Sequence, residues 1–119
     1  MSEPNHLSHA VVRFVRMSPQ KGRLVADLIR DRYAGEALTI LRFSEKKKIA
    51  AILEKVLRSA IANAQQKSPD VDVDVLYVSR IEVNGGPVAK RIRPAPMGRA
   101  YRVVKRTSHV HIYLNEKGK

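Results

Sequence analysis

The strongest constraint on the fold is an apolar repeat in the middle of the chain, between Glu45 and Lys67. Apolar side chains recur there at spacings of three and four, which is the period of one face of an α-helix. They are Ile49, Ile52, Leu53, Val56, Leu57, Ala60, Ile61 and Ala64. At 1.5 Å per residue such a helix is roughly 33 Å long, enough to cover a whole small sheet. The repeat therefore predicts a central core helix.

Three shorter elements are predicted before this helix. Alternating apolar residues over 10–17 indicate a strand. Ser18-Pro19 is typical of a helix start, and that helix is expected to reach about Arg32. Its expected apolar stripe consists of Leu24, Val25, Leu28 and Ile29. A short helix is expected from Glu36 to about Phe43, with Ser44 capping the core helix.

Two further strands are predicted after the core helix. In the first, over 75–83, one face is expected to hold Val75, Tyr77, Ile81 and Val83. In the second, over 106–114, one face is expected to hold Val110, Ile112 and Leu114, and the other His109, His111 and Tyr113. Asp70, Asp72 and Asp74 alternate just before them and are expected to form a charged edge strand. The order of elements predicts an α+β fold over 1–119: one domain with a three-stranded antiparallel sheet packed against three helices.

Between Asn84 and Arg106 the chain becomes strongly basic. The cations there are Lys90, Arg91, Arg93, Arg99, Arg102, Lys105 and Arg106, and no acidic residue occurs between Glu82 and Glu116. Residues 1–44 carry seven Lys and Arg against four Asp and Glu, residues 45–74 six against five, and residues 75–119 ten against two. Most of the net charge of +12 thus lies near the C-terminus, as expected for a surface that binds a polyanion.

Segment 84–106 is predicted to be a long β-hairpin that protrudes from the sheet, because strands are expected on both sides of it. Its tip would then lie at 94–98. Asn84-Gly85 is itself a strong signal for a tight turn, so an early hairpin that pairs 81–83 with 88–90 is the competing layout. In the long hairpin, Gly85-Gly86-Pro87 would instead form a bulge or a twist.

Composition excludes several other classes of protein. Cysteine is absent, and neither a nucleophile elbow nor a Gly-rich phosphate loop is present, so an enzyme is not expected. His109 and His111 lack a third metal ligand, and the three aspartates lack the pattern of a calcium loop, so we expect neither a metal nor a cofactor. Apolar runs fall far short of the ~20 residues that cross a bilayer, so a membrane is not expected.

Nucleic acid is therefore the expected partner. Arg outnumbers Lys five to two in segment 84–106, as suits bidentate phosphate recognition. Tyr101 is its one aromatic residue, so contacts to phosphate and sugar are expected rather than base stacking. Lys46, Lys47 and Lys48 either extend this surface or form a solvated helix face. The alternative to an RNA-binding protein is an architectural DNA-binding protein with a basic β-arm, which would be expected to dimerise.

Four separated motifs resemble a known family, that of the bacterial large ribosomal subunit proteins numbered twenty-two. They are SPQKGRLVADLIR at 18–30, SAIANA at 59–64, GPVAKRIRP at 86–94 and GRAYRVVKRTSHV at 98–110. The resemblance extends from about Ala10 to Leu114. It implies a structural ribosomal protein of the cytoplasmic ribosome, monomeric there, that binds ribosomal RNA beside neighbouring ribosomal proteins.

The resemblance also implies roles for particular residues. Ser18, Lys21 and Arg23 would contact RNA, together with the cations of the hairpin arms. The hairpin would line the nascent-peptide exit tunnel, and the tip facing the peptide would consist of Pro94, Ala95, Pro96, Met97 and Gly98. Ala95 and Met97 stand where the family commonly has basic residues, so this tip is expected to present an apolar surface.

Overall fold

The computed structural model describes residues 7–94 and 100–116, with side chains described for 7–86 and 106–116. In this part of the chain, strand β1 is followed by helices α1 to α3, a 3-10 turn and strands β2 and β3. Their bounds are Ser8–Val15, Pro19–Ile29, Ala34–Arg42, Lys47–Lys67, Val73–Val75, Leu76–Pro94 and Ala100–Glu116. The predicted α+β class is confirmed. None of these helices is long and apolar enough to cross a membrane.

The strands form an antiparallel sheet in the order β1-β3-β2, so the last strand lies in the middle. Val110 of β3 pairs with Val12 on one side and with Val83 on the other. Along β3, Val110, Ile112 and Leu114 are fully buried, and the face predicted for them is confirmed. This face of the sheet packs against the helices.

β2 and β3 form a long hairpin, as predicted. Their pairing extends to Pro94 and Ala100. Asn84 pairs with His109, so β2 runs straight through Asn84-Gly85 and the competing early turn is wrong. The radius of gyration is 17.5 Å, against ~13.5 Å for a compact domain of this length, which reflects this extension.

An irregularity near the start of β2 changes which residues face the core. An extra residue is inserted between Val78 and Arg80. One added residue reverses the alternation of side chains relative to a regular strand. The buried residues of this segment are Leu76, Val78, Ile81 and Val83. The predicted face was therefore wrong for Val75 and Tyr77 and right for the last two members.

Helix α3 contributes the largest share of the helical core, as its repeat predicted. Its buried residues are Ala50, Leu53, Val56, Leu57, Ala60 and Ala64. The three alanines allow the helix to approach its neighbours closely, while Leu53 and Leu57 fill the space between the layers. α3 begins at Lys47 rather than Glu45, and its N-cap residue is Lys46, so the cap predicted at Ser44 is wrong. The Ser44 hydroxyl instead accepts a hydrogen bond from the Lys46 amide, before the helix begins, at 3.2 Å.

Helix α1 packs on a face that shares only Val25 and Ile29 with the predicted stripe. Its buried residues are Gly22, Val25, Ala26 and Ile29, whereas Leu24 and Leu28 are 56% and 51% exposed. A Cβ on Gly22 would lie 2.9 Å from Met17 Cε and 3.0 Å from Val83 Cγ1. The helix therefore uses its smallest residues to approach the sheet closely, which places the two leucines outside.

Contacts with β2 also end α1 earlier than predicted, at Ile29 rather than Arg32. The Asp31 amide donates to the Val78 carbonyl at 3.1 Å, and the Val78 amide donates to the Arg32 carbonyl at 2.9 Å. Asp31 has a φ of 62°, which lies outside the helical range. Tertiary hydrogen bonds thus replace the last helical turn.

The aspartate-rich segment does not form the predicted edge strand. Val73–Val75 is a 3-10 turn, and the Asp72 carboxylate accepts a hydrogen bond from the Asp74 amide at 3.0 Å. Asp and Asn commonly accept such a bond from the backbone two residues on. The alternation of Asp70, Asp72 and Asp74 therefore marks a capped turn.

Candidate nucleic-acid interface

The basic segment 84–106, which we refer to as the arm, is built from the paired ends of β2 and β3. In this ladder Arg102 lies opposite the residue between Arg91 and Arg93. Lys90 and Lys105 lie one step apart, nearer the sheet. Several cations are thus concentrated along one short ladder, and this arrangement suits surroundings rich in anions.

Some of the remaining arm residues lie within the described part of the chain and others lie outside it. Arg106, the last cation before the body, is exposed. Pro94, the first residue of the predicted tip, ends β2 and pairs with Ala100. Arg99 and the other predicted tip residues, Ala95, Pro96, Met97 and Gly98, lie outside the described residues.

The arm joins the body at a second irregularity in β2, where one extra residue lies between Gly85 and Val88. This confirms the bulge that Gly85-Gly86-Pro87 indicated. Opposite it, the Ser108 hydroxyl is fully buried and donates to the Met17 carbonyl at 2.8 Å. That bond ties the central strand to the segment leading into α1, so the root of the arm is fixed to the body.

The three predicted RNA contacts near the start of α1 differ in their surroundings. Arg23 donates through Nε to the Val83 carbonyl at 3.0 Å, so part of its guanidinium holds α1 against β2. Lys21 is exposed. Ser18 precedes α1, and its side chain makes no capping hydrogen bond with the helix. The structure therefore gives Arg23 a structural contact in addition to its predicted role.

A second basic surface lies on the body, in a cleft of about 400 Å³ between the starts of α1 and α3. We refer to it as the cationic cleft. Its lining residues are Arg16, Met17, Ser18, Lys21, Lys46, Lys47, Lys48 and Ile49. Five of these eight are cations and none is acidic, so the cleft is a site of concentrated positive potential.

The position of these lysines argues against a purely structural role. Neither α1 nor α3 has an acidic residue in its first turn, and cations at the start of a helix oppose its dipole. The pattern in the sequence left open whether Lys46, Lys47 and Lys48 belong to a basic surface or to a solvated face. The structure brings them to Lys21, from another helix.

With this geometry in hand, comparison with known proteins decides the family. The family model described as "Ribosomal protein L22p/L17e" matches residues 10–115. The chain belongs to this family. The resemblance carried by the four motifs is thereby confirmed, and the matched range contains the helices, the arm and nearly all of the sheet.

Curated relatives agree with this assignment. The chain is 56% identical over 108 residues to a large ribosomal subunit protein uL22 from Solibacter usitatus, covering 91% of this chain and 95% of the relative. It is 52% identical over 109 residues to the protein of that name from Desulfotalea psychrophila, covering 92% and 97%. A third, from Geobacter sulfurreducens, is 51% identical over 108 residues, covering 91% and 96%.

Membership in the L22p/L17e family makes this chain a structural component of the large subunit in the cytoplasmic ribosome, and not an enzyme. His109 and His111 do lie on one sheet face, as predicted. Across 7–94 and 100–116, no cluster of three or more potential metal-ligating residues was found. The Nδ1 atom of His111 instead lies 3.1 Å from the Nε2 atom of His9.

Sequence reasoning missed two features of this surface. The convergence of the lysine run with Lys21 could not be read from either segment, although cations in a first helical turn were a signal of it. The alternation over 10–17 predicts a regular strand, whereas Phe14 lies in a bulge at the root of the arm with its ring exposed. Its 63% exposure has no counterpart in a local pattern.

Proposed function

We propose that this chain binds large-subunit ribosomal RNA through two cationic surfaces, the arm and the cationic cleft. We propose further that the arm lines the nascent-peptide exit tunnel. The observation that carries the proposal is that six arm cations lie in one ladder, in a segment without a single carboxylate. Only a polyanion neutralises such a ladder over its whole length.

RNA phosphates are the groups that the arm and the cleft bind. The proposed contacts are Ser18, Lys21, Lys90, Arg91, Arg93, Arg99, Arg102, Lys105 and Arg106, with Arg23 both contacting RNA and holding α1 on β2. Arginine offers planar, paired donors to phosphate oxygens. Phosphate contacts fix the position of a protein on its nucleic acid but do not read sequence, so RNA shape is the feature recognised.

The tip has a different role from the arms. No charged residue occurs between Arg93 and Arg99, where the sequence is PAPMG. A segment without charge binds phosphate poorly, whereas proline and methionine present apolar surface to a passing peptide. We propose that 94–98 faces the nascent peptide while the arms on either side hold RNA.

The test is the salt dependence of binding to purified large-subunit ribosomal RNA. Replacing Arg91, Arg93 and Arg99 with Ala should lower the slope of log K against log salt concentration by about 2 to 3, since each lost phosphate contact contributes ~0.7 to 0.9. The melting temperature should stay nearly unchanged, because the core cluster of the body is built from other residues. The matched control replaces three exposed cations of α3, namely Lys55, Arg58 and Lys67, and removes the same net charge.

An equal fall in slope for both triple variants would show that binding follows net charge alone, and would contradict an arm-specific site. Duplex DNA serves as the competitor. Equal competition by duplex DNA, accompanied by dimerisation in sedimentation, would favour the architectural DNA-binding alternative instead.

A further inference from the structure

The sheet face opposite the helices carries a row of rings, supplied by β1 and β3. The rings of His9 and Tyr113 stack with centroids 4.2 Å apart and planes 6° apart. His111 stacks on His9 at 5.3 Å. Nearer the arm, Phe14 contacts His109 edge to face, with centroids 4.9 Å apart and planes 88° apart. The row therefore runs from the far end of the sheet to the root of the arm.

Phe14 is held in a conformation that its own side chain disfavours. It lies in a bulge of β1, between Val12 and Val15, with a φ of 58°. Bulky residues rarely adopt that region, and such strain tends to occur at functional sites. The ring is also 63% exposed, so burial in the core does not explain why an aromatic residue occupies the bulge.

The surroundings of Phe14 fix the direction of its ring. Its amide donates to His109 Nδ1 at 3.1 Å, so backbone and ring both contact the same imidazole. Across the sheet, a Cβ on Gly86 would lie 2.6 Å from Thr107 Oγ1 and 3.2 Å from His109 Nε2. A glycine at position 86 thus leaves the space that the imidazole occupies.

The position of this pair relates it to the arm. Ser108, next to His109, pairs with Val15 on one side and with Gly85 on the other. The bulge in β1 and the second bulge in β2 therefore lie on either side of Ser108, at the position along the sheet where the arm leaves the body. Arg13 and Arg16, close to Phe14 in the chain, are exposed. An exposed ring among cations next to a phosphate-binding arm matches the chemistry of a nucleotide, which has both a flat base and a charged backbone.

We propose that Phe14, supported by His109, stacks against an unpaired base of the bound RNA at the root of the arm. This inference rests on the proposed RNA binding. It assigns to the sheet face a contact of a second kind, since stacking is nonionic while the arm and cleft bind phosphate. Bases that are accessible for stacking occur in loops and bulges of folded RNA, so the site selects an unpaired nucleotide of any sequence.

The chain contains no tryptophan, so Phe14→Trp introduces a single fluorescent reporter at the site. On titration with purified large-subunit ribosomal RNA, the indole at position 14 should be quenched by the stacked base. The matched control is Tyr33→Trp, because Tyr33 is 44% exposed but pairs with Tyr77, at the end of β2 far from the arm. Its fluorescence should change little. Equal quenching of the two variants would overturn the proposal.

Affinity separates stacking from a structural effect. Phe14→Ala and Phe14→Gly should both bind RNA on the order of 10-fold more weakly with an unchanged salt slope. Glycine accepts a φ of 58° without strain, so Phe14→Gly should melt at a higher temperature than Phe14→Ala. If affinity follows the melting temperature rather than loss of the ring, the site is structural and the proposal fails.

The outcome for the unsubstituted chain distinguishes the two levels of inference. Failure of the unsubstituted chain to bind the RNA with a salt-dependent affinity would overturn the proposed function itself. Salt-dependent binding by that chain, with Phe14→Ala binding equally well, would overturn the stacking site alone.

Discussion

The buried hydroxyl of Ser108 should contribute more to stability than its size suggests. It is fully buried and donates to the Met17 carbonyl at 2.8 Å, joining the central strand to the entry of α1. Met17 is itself only 7% exposed, so water cannot readily replace the lost donor. Ser108→Ala should therefore lower the free energy of unfolding by about 1–3 kcal/mol, the cost of a buried carbonyl left without a partner.

Ser8 provides a matched control for this substitution. It is 6% exposed, and its hydroxyl donates to the Ala60 carbonyl, also at 2.8 Å. Ala60 lies within α3, so its carbonyl keeps the helical hydrogen bond from the amide four residues on. Ser8→Ala should therefore lower the free energy of unfolding by less, about 1 kcal/mol, although both substitutions remove a serine hydroxyl.

Urea unfolding followed by circular dichroism measures both changes. The urea concentration at the midpoint of unfolding should fall further for Ser108→Ala than for Ser8→Ala. The slope of the free energy of unfolding against urea concentration should stay unchanged. In a thermal scan, Ser108→Ala should lower the melting temperature by roughly 4–12 °C for a chain of this size. The reasoning would be refuted if Ser8→Ala lowered the free energy of unfolding as much as Ser108→Ala or more. A carbonyl that keeps a second hydrogen bond would then be no less costly to leave than a carbonyl that loses its partner.

Two further sets of substitutions test the packing of α1 and the cationic cleft. Ile29→Ala should lower the free energy of unfolding by about 2–5 kcal/mol, because Ile29 is fully buried. Leu28→Ala should change it by no more than about 0.5 kcal/mol, because Leu28 is 51% exposed. Equal losses for the two variants in urea unfolding would contradict this orientation of the helix. Lys47→Ala with Lys48→Ala should weaken binding of large-subunit ribosomal RNA and lower its salt slope by about 1 to 2, while slightly raising the melting temperature, since both cations oppose the dipole of α3. If RNA binding were unchanged, the cleft would not be part of the RNA-binding surface.

The elements best predicted from the sequence are those with an unbroken local repeat. In α3, the spacing of Leu53, Val56 and Leu57 identified the buried face, and its predicted end at Lys67 is confirmed. In β3, strict alternation placed Ile112 and Leu114 in the core. A repeat predicts burial well where the element is regular, because the backbone geometry alone then decides which side chains share a face.

Apart from the aspartate-rich segment, where a local hydrogen bond closes a turn, the wrong assignments occur where contacts between elements change the local geometry. The inserted residue between Val78 and Arg80 reversed the alternation of β2 before it. α1 turned Leu24 outwards because Gly22 allowed a closer approach to the sheet through the neighbouring face. Neither a bulge nor a preference for close approach produces a periodic signal in the sequence.

The sequence by itself determined the family, the order of the elements and the concentration of positive charge in an acid-free arm. Each of these is a property of residue types along the chain. The tertiary structure alone decided which distant residues share a surface. The cationic cleft joins Lys21 to the start of α3, and the Phe14 amide meets an imidazole 95 residues away. Those distances depend on how helices and bulged strands pack, which is settled by the whole core and not by any one segment.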